Sequence, residues 1–209
     1  MPNKTTNPNF QLSQTKKAIE ALGEKINKTL FKGEIEPWVT TIAPQGRKNC
    51  IGWATIDKRW SSKDKKKIEY RELNICAEYL HQPEVVFECV VHELVHLWNA
   101  GKNIKDCSKS GVHNKKFKVK AEEAGLTVEH SDKHGHAHTA IAKKGKAEKL
   151  LKSLKNLKKD FPVSRKLIAA KAKAKTKNLK WSCECTNVRC ATELVATCGE
   201  CGEEFVLQD

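Results

Sequence analysis

The sequence predicts an α+β fold: a compact domain of helices around a small antiparallel sheet, then a basic linker and a small cysteine-rich module. Three observations predict it. Apolar residues recur at helical spacing in two long segments, near 10–30 and 83–101. Between them lie short segments whose apolar residues alternate, the period of strands. Near the C-terminus, Cys183, Cys185, Cys190, Cys198 and Cys201 crowd together behind forty residues dominated by lysine. The boundaries implied are 10–140 for the domain, 141–180 for the linker and 181–209 for the module.

Residues 1–9 read as disordered. Leu12, Ala18, Ile19, Leu22, Ile26 and Leu30 then recur every three or four residues, which predicts an amphipathic helix. Trp38, Thr40 and Ile42 mark a first strand. Cys50, Gly52, Ala54 and Ile56, alternating with Ile51, Trp53 and Thr55, mark a second, and 68–75 reads as a third after the charged turn 61–67. Pro83 is suited to the first turn of a second helix, with Glu84 favouring its dipole. Val85, Val86, Cys89, Val90, Val91, Leu94, Val95, Leu97 and Trp98 make that helix apolar almost all round, so it should be buried. Gly101 is placed to end it as the C′ residue. A loop to Val112 leads to a helix over 114–124, ended by Gly125. The His- and Gly-rich stretch 130–140 reads as an irregular strand or loop. Beyond it Leu150, Leu151, Leu154 and Leu157 keep helical spacing among lysines. Pro162 interrupts the pattern, and 169–175 alternates Ala and Lys, so the linker is partly helical at most.

Composition narrows the function classes. Charged residues make up 31% of the 209, and no window approaches the ~18 uninterrupted apolar residues of a membrane helix, so no membrane partner is expected. The N-terminus lacks the apolar core of a secretory signal. A cytoplasmic protein is therefore expected. The formal net charge is +14; fourteen lysines and Arg165 between 141 and 180, against only Glu148 and Asp160, supply +13 of it. Such concentration suggests attraction to the phosphates of DNA, and hence a possible nucleoid association. Nine cysteines, an odd number without an export signal, argue against a disulfide framework. Cys50, Cys76, Cys89 and Cys107 are scattered and read as mostly structural.

His92-Glu93-Leu94-Val95-His96 is an H-E-x-x-H run on the helix expected to be buried. Residues four apart lie one above the other, so His92 and His96 can direct two nitrogens at one metal ion. Glu93 sits about 100° round the axis, close enough to reach a water without ligating the ion. Zinc in such a site lowers the pKa of its water toward ~7, and Glu93 would take the proton as catalytic base. Two histidines and a glutamate among Val, Leu and Trp are costly to bury without partners, which weighs against a purely structural role. A third ligand is needed. His113, His130, His134, His136 and His138 compete for it, with Asp106, Glu122 and Glu123 as weaker candidates.

Leu73-Asn74-Ile75, Pro83, Val90-Val91-His92-Glu93-Leu94-Val95-His96-Leu97 and Gly111-Val112-His113-Asn114-Lys115-Lys116-Phe117 together resemble the SprT-like family of Spartan-type zinc metalloproteases, as a bacterial or phage-like member. Gly52-Trp53 and Trp60 resemble the family's strand region. The resemblance implies a zincin-like metalloprotease domain in which His113, from a segment similar to the family's H-G-x-x-F, is the third ligand. The family has Gly where this chain has Asn114; Asn tolerates similar backbone angles.

Cys183-Glu184-Cys185 and Cys198-Gly199-Glu200-Cys201 form two pairs separated by a strand-like stretch, 191–197. They read as a zinc ribbon, with four thiolates around a structural zinc. Cys190 is an alternative ligand in place of Cys183 or Cys185. So small a module needs such a staple.

Two zinc ions are therefore expected, one catalytic and one structural. The expected function is that of an intracellular endopeptidase acting on DNA-associated or DNA-crosslinked proteins, with DNA bound through the lysine-rich segment and the ribbon. A nucleic-acid-binding or transcription-associated protein that uses a protease-like scaffold is the alternative from another class. An amidase using the same water is a third reading.

Overall fold

In the computed structural model, which describes residues 12–46, 50–63, 67–155, 157–167 and 178–208, the chain divides into two units, 1–167 and 168–209. The expectations for 1–9 and 169–175 fall outside the described residues.

The first unit is α+β. Helix α1 (Leu12–Leu30) buries Ile19, Leu22, Ile26 and Leu30 of the predicted stripe; Ala18 is half-buried and Leu12, at the helix start, is exposed. Strand β4 (Glu69–Cys76) is the centre of the sheet. Strands β2 (Gly52–Ala54) and β3 (Trp60–Ser61) run antiparallel to it along one edge. Strand β1 (Trp38–Ala43) takes the other edge and runs parallel to it, Trp38 opposite Arg71 and Ala43 opposite Cys76. The sheet is thus mixed, and the antiparallel expectation is corrected at β1. Once β2 and β3 have occupied one edge of β4, β1 is left the far edge, where its direction matches. Alternation within a strand carries no information about direction.

Helix α2 (Pro83–Gly101) packs against the sheet and is buried on nearly every side, with Val86, Phe87, Val90, Val91, Leu94 and Val95 fully inside. Its end differs from expectation. Gly101 is still helical, Lys102 is the cap, and Asn103 takes the left-handed conformation at φ 56°. Helix α3 (Lys115–Ala124) is bounded as predicted, with Gly125 closing it at φ 94°. The stretch 130–140 is more regular than expected: β5 (Leu126–Ser131) and β6 (Gly135–Ile141) form an antiparallel hairpin, irregular only between Glu129 and Ser131.

The linker reading fails over its first two thirds, 141–167. Helix α4 (Lys146–Ser153) and the short α5 (Leu157–Asp160) belong to the first unit. Ala147, Leu150 and Phe161 are buried in its core, and Arg165 donates its backbone N–H to Ala77 O at 2.9 Å. Burying one Leu or Phe is worth roughly 1.5–3 kcal/mol. Repulsion among exposed lysines is largely screened beyond a Debye length of about 8–10 Å, so the apolar stripe prevails. No helix among the described residues is long and apolar enough to cross a membrane.

The second unit holds a three-stranded antiparallel sheet, with β7 (Leu179–Ser182) between β8 (Asn187–Cys190) and β9 (Val206–Gln208). The strand between the cysteine pairs is 187–190; 191–197 is irregular, apart from a bridge from Thr197 to Glu204. Trp181 is buried, whereas Val188, Val195, Val206 and Leu207 are exposed, so apolar burial alone gives this unit little stability.

Candidate metal centre

One face of α2 carries His92 and His96 a turn apart, as their spacing dictates. His113 reaches them from the segment before α3. It is held as a strand residue, bridging Cys107 on one side and Gly135 on the other. Its N–H donates to His134 O at 3.1 Å, and its carbonyl accepts from His136 N–H at 3.0 Å. Asn114 then caps α3, its Oδ1 accepting from the N–H groups of Lys116 (2.8 Å) and Phe117 (3.4 Å). Its backbone is extended, φ −102° and ψ −176°. Asn is therefore suited to this position as a cap, and the left-handed tolerance expected of it plays no part. Gly135 sits at φ 62°, and a Cβ there would collide with the His113 carbonyl. The hairpin can cradle the third histidine only because position 135 has no side chain.

The three rings converge through Nε2. His113 Nε2 lies 3.2 Å from that of His92 and 2.9 Å from that of His96. The edge of a tetrahedral site with metal–nitrogen bonds near 2.0–2.1 Å is about 3.3 Å. Each Nδ1 has its own partner. His96 Nδ1 meets Asp106 Oδ2 at 2.8 Å, His113 Nδ1 meets Gly111 O at 3.1 Å, and His92 Nδ1 meets Thr139 Oγ1 at 3.2 Å. A carbonyl can only accept, so the His113 proton is on Nδ1 and a lone pair is on Nε2. The ionised Asp106 demands the same of His96. Lone pairs directed at one another across about 3 Å repel unless a cation lies between them, so the donor set suits a metal ion such as zinc.

The electrostatics agree. Burial, then repulsion by His96 and His113, holds His92 well below the usual imidazole range. Burial, then His96, brings His113 down to about 4. Burial presses on His96 too, but the Asp106 hydrogen bond and the charges of Glu93 and Asp106 outweigh it and raise its pKa. Asp106, only 2% exposed, is held below the usual carboxylate range: burial opposes this, but hydrogen bonds from His96 and Asn99 prevail. Glu93 is 6% exposed beside the triad, and burial pushes its carboxyl up to about 7, against the His96 charge and a hydrogen bond from Ala54 N–H.

That last contact defines the setting. Thr55 N–H donates inward to Glu72 O at 2.9 Å, so the neighbouring Ala54 N–H is on the outer edge of β2, facing Glu93. The cleft over the histidines has Cys50, Ile51 and Gly52, which lead into β2, on one wall, α2 as its floor, and Lys133, His134, His138 and Thr139 of the hairpin on the other wall.

The other third-ligand candidates are not part of the triad. His130 pairs with His136 and His134 with His138, ring centroids 4.9 and 6.0 Å apart, the second pair lining the cleft. Glu122 and Glu123 are on the exposed face of α3, paired with Lys118 at 3.7 Å and Lys120 at 3.2 Å. Asp106 stands behind His96 and supports it. Sequence reasoning missed that supporting role, and it missed Gly135, whose only signal was a Gly within the histidine-rich stretch. The scattered cysteines are less scattered in space. Hydrogen bonding to Cys50 and burial push the Cys76 thiol up, and burial does the same to Cys89. Burial and Asp106 raise Cys107 to about 11. All three therefore stay protonated.

In the second unit the sulfurs of Cys183, Cys185, Cys198 and Cys201 lie within 4.8 Å of one another, a group able to hold a metal ion. Cys183 and Cys185 are 3.6 Å apart, and Cys185 and Cys198 are 3.4 Å apart. Backbone N–H groups of Cys201 and Glu200 bring Cys198 down to about 6, and bonding among the thiols raises Cys185 to about 12. Cys190 is outside the group, its thiol donating to Thr192 O at 2.9 Å.

Comparison of the chain with family models, with curated proteins and with solved structures finds no match.

Proposed function

We propose that this chain is a zinc-dependent endopeptidase with a zincin-like, SprT-like catalytic domain and a C-terminal zinc ribbon. The observation that carries the proposal is the convergence of three Nε2 atoms, of His92, His96 and His113, beside the buried carboxyl of Glu93. His92, His96 and His113 would hold the catalytic zinc, and Cys183, Cys185, Cys198 and Cys201 a structural one. Zinc at the three histidines supplies a Lewis acid that polarises a carbonyl and makes a water more acidic. Glu93, beside the triad, takes that water's proton as it attacks and passes it to the departing amide nitrogen. Burial raises its carboxyl in the bare pocket, and a cation held by the triad would bring it down again and favour the carboxylate that accepts the proton. Ala54 N–H holds the carboxylate in place.

The choice of polypeptide over a small amide rests on β2. It is an edge strand, paired to β4 on one side only among the described residues, and its first residue, Gly52, lines the cleft together with Cys50 and Ile51. Ala54 N–H is given to Glu93 and Gly52 C=O accepts from the Cys50 thiol, so an extended chain would pair with this edge through the outward Gly52 N–H and Ala54 C=O.

We place the substrates among DNA-associated or DNA-crosslinked proteins because of charge. The lysines between 141 and 180 include an exposed row on α4, and with Arg165 they exceed the acids there by the net +13. Binding that neutralises several phosphates falls steeply with salt. The test is cleavage of casein or histone by the full chain with and without single-stranded DNA, over a salt series. Cleavage that DNA stimulates at low salt, with the stimulation lost by about 0.2–0.5 M, supports the reading. Cleavage indifferent to DNA leaves the peptidase and removes the recruitment. No cleavage of any protein favours the nucleic-acid-binding scaffold.

A further inference from the structure

Two of the three histidines meet partners whose role is plain, a buried carboxylate for His96 and a carbonyl for His113. His92 does not. Its Nδ1 faces a hydroxyl, Thr139 Oγ1, at 3.2 Å, and a hydroxyl can donate as well as accept. If Thr139 donated to Nδ1, the ring would carry its proton on Nε2 and could not ligate.

The ambiguity is resolved one bond further out. Thr139 Oγ1 lies 3.1 Å from Glu88 Oε1 and donates to it. A hydroxyl has one hydrogen; with that given to Glu88, Oγ1 can only accept from His92 Nδ1–H. Glu88 is a turn before His92 on the same face of α2, so Glu88, His92 and His96 follow one another four residues apart. Thr139 comes from β6, opposite. Glu88 also lines the cleft and makes no ion pair with a described residue.

Resting on the zinc reading above, we propose that Thr139 and Glu88 are positioning residues that fix His92 as the Nδ1–H tautomer and turn its Nε2 lone pair toward the metal. The relay does through two side chains what Asp106 does for His96 directly. It also ties the β5–β6 hairpin to α2 on the side of the cleft away from β2. Removing such an outer partner of a ligating histidine costs metal affinity typically 10–100-fold.

The test is the zinc affinity of the full chain, measured by competition with a chelator. Thr139→Val keeps the shape and removes the hydroxyl; Thr139→Ser keeps the hydroxyl and removes the methyl. The four-cysteine site is unchanged in both and serves as the internal reference, and His113→Ala marks the signal of a chain without the histidine site. We expect Thr139→Val to weaken the histidine site by about 10–100-fold and Thr139→Ser to restore it to within about threefold of wild type. Glu88→Ala leaves Thr139 free to turn its proton toward His92 and should also weaken the site. It carries the test if the valine variant fails to fold. Valine and alanine variants that bind zinc as wild type does overturn the relay and leave the peptidase reading intact. A wild-type chain with no zinc at the histidines overturns both.

Discussion

Replacing Glu93 by Gln is expected to leave the chain folded and metal-loaded and to lower protein cleavage by about 10²–10⁴-fold, the range general acid–base catalysis contributes. Gln is nearly isosteric, and its carbonyl oxygen can still accept from Ala54 N–H, so the pocket keeps its shape. What disappears is the carboxyl that, on the proposed mechanism, takes a proton from the attacking water and returns it. A second effect has the opposite sign. Burial raises the Glu93 carboxyl from 4.5 to about 7, so between those values the folded chain holds a proton that the unfolded chain releases. Metal-free stability is therefore lost as pH rises through that window and is not regained above it. Gln removes the cost, so the metal-free variant should melt higher than wild type at pH 8. Cleavage is followed on casein and stability by thermal denaturation. Undiminished cleavage by the Gln variant would remove Glu93 from the chemistry.

Metal removal from the second unit is expected to unfold it. Among its described residues the one well-buried aromatic is Trp181; Leu179, Leu194 and Phe205 are half-buried, and Val188, Val195, Val206 and Leu207 are exposed. The four sulfurs are what ties 183–185 to 198–201. Structural zinc in peptides of this size binds with roughly 10–16 kcal/mol, more than such a module has in reserve. With Cys198→Ser, hydrogen exchange should show the amides of β7 and β8 losing protection while those of α2 keep theirs. Protection of β7 that survives the substitution would mean that the unit folds on its own packing and that the cysteines serve some other purpose.

How much of this was legible in the sequence depends on how local each signal is. The helical stripe of α1 and the buried face of α2 are periodic over five turns, and both appear within two residues of where the pattern puts them. His92, Glu93 and His96 lie in one motif on one helix, and their convergence follows from spacing. His113 was reachable only through resemblance, because a ligand some twenty residues away is set by tertiary structure. The direction of β1 was illegible, since parallel and antiparallel partners show the same alternation. The linker was misjudged over 146–161 because its lysines outnumber its leucines, although Ala147, Leu150 and Phe161 alone settle where it goes. Asp106 was legible only as a weaker ligand candidate, and Thr139 and Gly135 left no reading at all. A buried carboxylate, a hydroxyl between two partners and a glycine under a carbonyl acquire their roles from neighbours far along the chain.

The central claim is that His92, His96 and His113 bind one metal ion, separate from the ion of the four cysteines. Its most direct test is metal content per chain, by elemental analysis, for wild type and His113→Ala. The account predicts about two zinc ions falling to about one, since two histidines on one helix do not make a closed structural or catalytic site. The same content in both proteins would contradict it.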